Sequence, residues 1–270
     1  MLKLIVDKIK EIKEKKSNFK DLELDWTDYE FGKNFYLNVF RNKEQTDIET
    51  NFIIEKLRLK DEAKILDLGC GGGRNSQVLS NKGFDVLGID LNKYAIEEAK
   101  KLEKEKLKFI NQNILDIDFK EQFNASILIF NHFSSFNRIE ARKLLKKIET
   151  SLVKDGKVLI EIQSLSFGES INKTQEWFIK NSWISGDYEQ LVLVDNDFDS
   201  KSKIHTRLDY CLNLNNFELK TFTQTSYLYT LEDIYNIFSS TDLKIKQIYG
   251  NWEGKIFEED DDTMIIIGQK

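Results

Sequence analysis

One short segment constrains the fold of this chain more than any other. Lys64–Leu68 is apolar enough to predict a buried strand, and Gly69, Gly71, Gly72 and Gly73 follow it at once. Glycine permits a tight turn and lets the backbone approach a ligand closely. A helical pattern begins directly after the glycines. A strand, a glycine-rich turn and a helix in this order are typical of the ligand-binding turn in an open parallel α/β sheet.

The pattern around this turn predicts such a sheet. Strands are predicted at Lys64–Leu68, Asp85–Asp90, Leu107–Asn111, 125–131 and 157–163, and helices at 74–82, 93–104 and 138–152. Strands that alternate with helices predict βαβ units and therefore parallel pairing. The segment 125–131 is the most apolar, so we place it at the centre of the sheet.

The pattern changes after residue 187, where three longer strands are predicted at 189–194, 203–214 and 217–227. Asparagine tolerates positive φ, so Asn215 and Asn216 predict a tight hairpin between the last two. A helix at 230–239, with Thr230 as its N-cap, and two final strands complete the sequence. We infer an antiparallel insertion before the last helix of the main sheet.

The first 16 residues predict an amphipathic helix, with Leu2, Ile5, Val6, Ile9 and Ile12 on one face and lysines around the other. Packing on the domain or on a second subunit is the expected role, and a membrane-surface helix is the alternative. Lysines interrupt the apolar residues, which argues against a signal peptide.

Composition limits the remaining classes. The 270 residues carry a net charge of −6, which does not favour nucleic-acid binding. Cys70, Cys211, His132 and His205 are the only cysteines and histidines, so we expect no disulfide framework and no metal site. No apolar stretch reaches the length of a membrane span, and a cytoplasmic protein is expected.

The spacing of the glycines excludes two common ligand patterns. The dinucleotide pattern G-x-G-x-x-G fails from either starting glycine, because Arg74 or Ser76 occupies its last position. The P-loop pattern lacks its Lys-Ser/Thr ending. These failures argue against an oxidoreductase, which is the alternative with the same layer architecture.

The pattern D-x-G-x-G-x-G fits instead, with Asp67, Gly69, Gly71 and Gly73. It resembles the first signature of class I S-adenosylmethionine-dependent methyltransferases. Their cofactor presents an amino-acid group to this loop, and an acid before the glycines suits an ammonium group. Cys70, inside the loop, is interpreted as a packing residue near the cofactor, with a nucleophile as the alternative.

The resemblance implies further cofactor residues. Asp90, at the end of the second strand, would accept the ribose hydroxyls, and Leu91 would pack on the adenine. Asn113 stands where the family usually has an aspartate, and its side-chain oxygen can accept a hydrogen bond from the adenine amino group. Ile114 would pack nearby. Phe130 would lie beside the methionine moiety.

Two more segments of this chain resemble a bacterial small-molecule subgroup of the family (type 11/25-like). They are the aromatic N-terminal segment, residues 31–37, and the residues after the glycines. In that subgroup the segment folds over the cofactor. Tyr36 and Arg41 are therefore candidates for binding the cofactor carboxylate, with a core tyrosine and a surface arginine as the alternatives.

The implied fold is a doubly wound, seven-stranded, mostly parallel Rossmann-like sheet with an antiparallel β insertion over the active site. Residues 1–60 would cover the cofactor as a helical segment. Residues 61–187 and 228–270 would form the methyltransferase core. Residues 188–227 would form the insertion that covers the substrate.

The implied activity is methyl transfer from S-adenosylmethionine to nitrogen or oxygen of a small molecule. His132 is the candidate general base, with a hydrogen-bonded wall residue as the alternative. Six aromatic residues are candidates for the wall of a pocket that binds a cationic amine: Trp177, Trp183, Tyr188, Tyr227, Tyr229 and Trp252. An RNA or protein methyltransferase and a cofactor-binding protein without transfer remain alternatives, and a homodimer is left open.

Overall fold

A computed structural model describes residues 19–23, 25–38 and 43–270. The amphipathic helix predicted for residues 1–16 lies outside the described residues. The helices are α1 (Tyr29–Asn38), α2 (Lys43–Leu57), α3 (Arg74–Asn81), α4 (Lys93–Lys100), α5 (Arg138–Ser151), α6 (Leu165–Ile171) and α7 (Leu231–Phe238). Two 3-10 turns lie at Ile114–Asp116 and His132–Ser135.

The strands form two sheets. They are β1 (Phe19–Glu23), β2 (Lys64–Leu68), β3 (Asp85–Asp90), β4 (Leu107–Asn111), β5 (Phe123–Leu128), β6 (Leu152–Gln163), β7 (Gln175–Lys180), β8 (Gln190–Asp199), β9 (Ile204–Asn213), β10 (Leu219–Tyr227), β11 (Lys244–Tyr249) and β12 (Thr263–Gln269).

The main sheet has seven strands in the order β11-β12-β6-β5-β2-β3-β4, with only β12 running against the others. This confirms the predicted doubly wound fold, with β5 at the centre as expected. From β2 the chain moves outward through β3 to β4 and then returns to β5 on the other side of β2. The switch point therefore lies between β2 and β5, where open sheets bind their ligands.

Helices cover both faces of the main sheet. On one face α5 and α7 pack with fully buried side chains such as Leu144 and Ile148. On the other face α2, α3 and α4 contribute residues such as Ile53 and Leu79. Each fully buried aliphatic side chain contributes about 1.5–3 kcal/mol, so these two layers hold the strand ends in fixed positions.

The second sheet has five strands, in the order β1-β10-β9-β8-β7. Three strands were predicted here, and the structure adds β7 before them and β1 from the N-terminal segment. The insertion therefore begins near residue 175, not 188, and residues 1–60 contain a strand as well as helices. Both added strands lack a clear alternation of apolar and polar residues. They form because a neighbouring strand supplies their hydrogen bonds, which local sequence does not reveal.

The predicted hairpin between β9 and β10 is a wider turn. Leu212 pairs with Leu219, and the left-handed residue is Phe217, with φ 57°, not an asparagine. Of the two predicted asparagines, Asn216 acts through its side chain instead, as does Asn213 before the turn. The Oδ1 atoms of Asn213 and Asn216 accept backbone N–H groups two residues later, at 2.8 and 3.0 Å.

Asp233 joins the core to the insertion. Thr230 is the N-cap of α7, as predicted, and Asp233 completes a capping box with it. The same carboxylate accepts hydrogen bonds from Arg138 of α5 at 3.0 Å and from Lys203 of the β8–β9 turn at 2.9 Å. Burial alone would raise the pKa of Asp233, but the bonds from Thr230, Lys203 and Arg138 outweigh it and hold the pKa well below its ordinary value.

We expect Asp233→Asn to lower the free energy of unfolding by about 2 kcal/mol at neutral pH, because two cations lose their partner. A depressed pKa gives stability that is present above the unfolded value of about 3.9 and lost as the pH falls through the folded value. The difference from wild type should therefore shrink below about pH 4. Urea unfolding at several pH values measures this difference in unfolding free energy. Glu232→Gln, a substitution at the exposed neighbouring residue, is the control. A difference that does not change with pH would contradict this assignment.

Candidate active site

A cavity of about 760 Å³ opens at the carboxyl ends of β2, β3, β4 and β5. Its volume falls within the usual range of ligand pockets, about 300–1,000 Å³. Strand β10 and helix α1 form the opposite walls. The predicted site residues that line it are Tyr36, Asp67, Gly69, Cys70, Gly71, Asp90, Leu91, Asn113, Ile114, Phe130 and His132.

The glycines of the loop after β2 have different surroundings. Gly69, Gly71 and Gly73 all have positive φ, at 66°, 54° and 78°. A Cβ at Gly71 would meet nothing within 4 Å, so the backbone there faces open cavity. A Cβ at Gly73 would lie 2.5 Å from the Phe109 ring, and Gly73 is not among the lining residues. Gly73 allows close packing of α3 against β4, and its predicted contact with the cofactor stays a prediction.

Asp67 lies at the end of β2 and is buried. Its carboxylate accepts a hydrogen bond from the Ser76 hydroxyl at 2.5 Å. Burial raises the pKa of Asp67 to about 7, and the Ser76 bond and the charge of Arg74 only partly offset this. Neighbouring Asp90 adds to the increase. A carboxylate in this state is stabilised by a cationic ligand, because the ligand supplies the missing opposite charge.

Beside Asp67, the start of α3 supplies residues that were not predicted individually as site residues. Arg74 and Asn75 line the cavity, and both bind Glu49 of α2, at 2.6 and 3.0 Å. The Oδ1 atom of Asn75 is buried and, among the described residues, has no hydrogen-bond partner. The Asp67 carboxylate, with open space at Gly71 nearby, fits the ammonium end of an amino-acid ligand.

Asp90 connects two parts of the site through its carboxylate. One oxygen accepts the N–H of Gly71 at 2.8 Å, and the other accepts the N–H of Asn92 at 2.7 Å. These bonds fix the carboxylate at the end of β3 and also fix the glycine loop. The remaining lone pairs of both oxygens fit the two hydroxyls of a ribose.

The Asn113 side chain has a structural role that the sequence did not predict. Its Oδ1 accepts the N–H of Leu115 at 2.9 Å and caps the turn Ile114–Asp116. One lone pair of that oxygen is therefore already engaged. The predicted hydrogen bond from an adenine amino group has only the second lone pair available.

Helix α1 forms a wall of the cavity. The Tyr36 ring lies over the glycine loop so closely that a Cβ at Gly72 would be 2.3 Å from it. Burial raises the pKa of Tyr36 above its ordinary value. Tyr36 therefore has the predicted position beside the cofactor loop. Arg41, its predicted companion, lies outside the described residues.

Two contacts hold α1 in place. Asn92, the N-cap of α4, donates to the carbonyl of Gly32 at 3.0 Å. Gly32 is necessary there, because a Cβ would lie 2.7 Å from the Asn92 side chain. On its other side α1 stacks Phe31 on Phe222 of β10, with ring centroids 6.1 Å apart. The helix is thus attached both to the core and to the insertion.

The turn after β5 carries the candidate base. Phe130 and Asn131 both have positive φ, 62° and 57°, which costs energy in residues other than glycine. Glu161 compensates, since its buried carboxylate accepts the Phe130 N–H and the Trp252 indole N–H, the latter at 3.1 Å. The turn presents His132 to the cavity with its ring against Gly69, where a Cβ would lie 2.9 Å from it.

Comparison with known proteins agrees with this geometry. Residues 65–156 match the family model of a methyltransferase domain. The carboxy-S-adenosyl-L-methionine synthase of Nautilia profundicola is 32% identical over 135 residues, which are 48% of this chain and 54% of that protein. The chain thus spans about half the length of this curated relative.

Residues 65–156 of the chain therefore form a methyltransferase domain.

Two solved structures with methyltransferase domains show how far the fold extends. The CcbJ methyltransferase from Streptomyces caelestis has a TM-score of 0.71 at 12% identity, covering 91% of this chain and 98% of its own. The sugar N-methyltransferase KedS8 from Streptoalloteichus sp ATCC 53650 has a TM-score of 0.63 at 14% identity, covering 83% and 87%. At these identities the likeness shows the fold, here including the region of the insertion.

The aromatic wall of the cavity differs from the prediction. Of the six aromatic residues suggested, only Tyr227 lines it; Trp252 binds Glu161, Tyr229 is fully buried, and Trp177 is exposed on β7. The residues that line this part instead are Trp26, Phe35, Phe136, Thr223, Gln224 and Thr225. The aromatic N-terminal segment signalled Phe35, but nothing in the sequence distinguishes the residues of β10 from other strand residues.

The other histidine, His205, and the cysteine of the glycine loop, Cys70, have structural roles. Burial lowers the pKa of His205 to about 4, and its Nε2 is 3.1 Å from the Asn196 Oδ1 atom, so it is a neutral residue of the insertion sheet. Burial raises the pKa of Cys70 well above its usual range, which makes it a poor nucleophile. Over the described ranges, no cluster of three metal-ligating side chains occurs. None of the described helices is long and apolar enough to cross a membrane.

The state of Asp67 predicts pH-dependent cofactor binding. An ammonium group pairs with the ionised carboxylate, so binding should weaken below the pKa of about 7. We expect affinity for S-adenosylmethionine to be about tenfold lower at about pH 6 than at about pH 8. Calorimetry in buffers of different ionisation enthalpy should detect proton release at about pH 6. Asp67→Asn should bind weakly and without this pH dependence, while Asp85→Asn should behave as wild type.

The two loop glycines should separate stability from binding. Gly73→Ala places a methyl group against Phe109 and is expected to lower the free energy of unfolding by about 2–3 kcal/mol. Gly71→Ala has space for its Cβ and should cost only about 1 kcal/mol, but it narrows the cavity and should weaken cofactor binding. Thermal unfolding measures the change in stability, and calorimetry measures the change in cofactor binding. Gly73→Ala with normal stability and lost binding would restore Gly73 as a contact residue.

Proposed function

We propose that this chain transfers a methyl group from S-adenosylmethionine to a nitrogen or oxygen atom of a small molecule. The observation that carries the proposal is that one cavity combines two chemically different halves. The acidic half holds Asp67 and Asp90 beside the glycine loop, and the other half presents neutral polar and aromatic side chains of β10 and α1.

The acidic half would bind the cofactor. Asp67 would receive its ammonium group, and the fixed carboxylate of Asp90 would receive the ribose hydroxyls. Leu91 and Ile114 line the adjoining wall and would enclose the adenine. Binding through these groups would place the reactive end of the cofactor toward the turn after β5.

S-adenosylmethionine supplies an activated methyl group, so the protein has mainly to align the acceptor with it. Phe130 and His132 lie where that alignment would occur. The left-handed turn that carries them is fixed by Glu161, so their orientation is set before the acceptor arrives. His132 would accept a proton from a hydroxyl acceptor. An amine that arrives unprotonated would need no base.

The charges around the cavity favour a neutral or cationic acceptor. Asp67, Asp90 and Arg74 are the charged side chains among its described lining, and Arg74 is already paired with Glu49. A phosphate or carboxylate on the acceptor would find no unpaired lysine or arginine in this lining. That disfavours RNA, whose binding depends on phosphate contacts. Thr223, Gln224 and Thr225 offer neutral hydrogen-bonding groups to a hydroxylated small molecule.

The fold likeness to a sugar N-methyltransferase agrees with a small acceptor. A cytoplasmic location is a further expectation of the proposal. A cofactor-binding protein without transfer activity shares the acidic half of the cavity. Turnover with a small acceptor separates the two readings.

Cofactor binding is tested first, by calorimetry with S-adenosylmethionine, S-adenosylhomocysteine and NAD. Both sulfur nucleosides should bind and NAD should not. Asp90→Ala should weaken their binding at least tenfold, since the ribose hydroxyls and the glycine loop lose the same carboxylate. Asp85→Ala, at the exposed start of the same strand, is the matched control.

Transfer is then measured with methyl-labelled S-adenosylmethionine against panels of small amines, phenols and hydroxylated amines, and against RNA and protein. Label in a small acceptor supports the proposal. Label in RNA or protein alone would replace it with the polymer alternative. Binding of NAD in preference to the sulfur nucleosides would refute it at the first step.

A further inference from the structure

The edge strand of the insertion sheet exposes two large apolar side chains. Strand β7 pairs on one side with β8 and, within the described part of the chain, has no strand on the other side. Trp177 and Ile179 are 54% and 53% exposed, and the strand as a whole is largely exposed. An exposed edge strand offers unpaired N–H and C=O groups to another strand. Proteins usually protect such an edge with charge, proline or a cover.

The exposed pair continues an apolar face of the sheet. In the register of β7 and β8, Trp177 lies beside Leu193 and Ile179 beside Leu191. Residues that pair across an antiparallel ladder point to the same face. Leu191, Leu193, Tyr210 and Leu212 form an apolar cluster on that face. Trp177 and Ile179 are its solvent-exposed margin, at the edge where another strand would add.

The sequence of β7 is complementary to itself when it runs antiparallel to a copy. With a two-fold axis at Phe178, Trp177 lies opposite Ile179 of the copy and Glu176 lies opposite Lys180 of the copy. Each apolar residue then meets an apolar residue, and each charge meets its opposite. Within one strand Glu176 and Lys180 are four residues apart, about 13 Å, so they cannot pair with each other.

We propose that this chain forms a homodimer by antiparallel pairing of its two β7 strands about Phe178. The two insertion sheets then form one continuous ten-stranded sheet. Closed two-fold symmetry uses the same surface on both chains and leaves no β7 edge exposed. The proposal does not depend on methyl transfer; it concerns a surface outside the residues that line the cavity.

The size of the interface indicates how tightly the two chains bind. One six-residue strand and its side chains make a small contact, at the low end of specific interfaces. We therefore expect a reversible dimer with a dissociation constant on the order of 10 μM. In the monomer the Nζ atom of Lys180 lies 4.3 Å from the Trp183 ring centroid. This contact restricts the charged end of Lys180 at the end of β7.

The test uses charge reversal on the whole 270-residue chain. Wild type should change from monomer to dimer between about 1 and 200 μM in sedimentation velocity. Glu176→Lys places two cations opposite each other at both ends and should stay monomeric, and Lys180→Glu should do the same with anions. Mixing the two variants restores every opposite-charge pair, so the mixture should dimerise while neither component does. Trp177→Ser should weaken the dimer at least tenfold.

The controls separate this surface from general charge effects and from the active site. Glu169→Lys, an exposed residue of α6, changes the net charge equally and should dimerise as wild type. Glu176→Lys should bind S-adenosylmethionine normally, so failure of the dimer and failure of the cofactor site are distinguishable. A wild type that is monomeric at 200 μM overturns the proposal. So does a dimer that persists in Glu176→Lys, since another surface would then hold it.

Discussion

The hydrogen bond from the Gly71 N–H to the Asp90 carboxylate is the contact on which the site depends. It joins the loop after β2 to the end of β3 and thereby fixes the backbone that faces the cavity. The second oxygen of Asp90 accepts the N–H of Asn92, and Asn92 in turn caps α4 and binds α1. A single carboxylate thus orders the glycine loop, a helix start and the N-terminal wall.

This arrangement buries negative charge. Asp67 lies close to Asp90 and to Glu49, and each raises the pKa of Asp67 beyond the effect of burial itself. Arg74 compensates in part, but it is shared with Glu49. A site with an excess of buried acid is costly in the free protein and becomes stable when a cation enters. The proposed selectivity for an amino-acid nucleoside over a dinucleotide would therefore arise from charge as well as from the spacing of the glycines.

The sequence predicted the main sheet well because local patterns determine it. Asp67, the glycines and Asp90 follow apolar strands, and strand ends in a parallel sheet meet at one edge. The residues of β10 were not predictable in the same way, because Thr223 and Gln224 reach the cavity only through the placement of a whole second sheet. β1 and β7 were missed because their pairing, not their pattern, makes them strands. Gly73 shows the remaining limit, since a motif position does not distinguish a ligand contact from close packing against Phe109.

Helix α1 has a consequence for the kinetics of the site. It is attached to the core through Asn92 and Gly32 and to the insertion through Phe31 and Phe222. Asn92 is itself hydrogen-bonded to Asp90, so the attachment to the core shares the acidic side of the cavity, whereas the contact of Phe31 with Phe222 does not. A substitution at Phe222 would therefore loosen this wall without altering the buried acids. In this architecture the rate at which a bound molecule leaves can change while the groups that attract it stay the same.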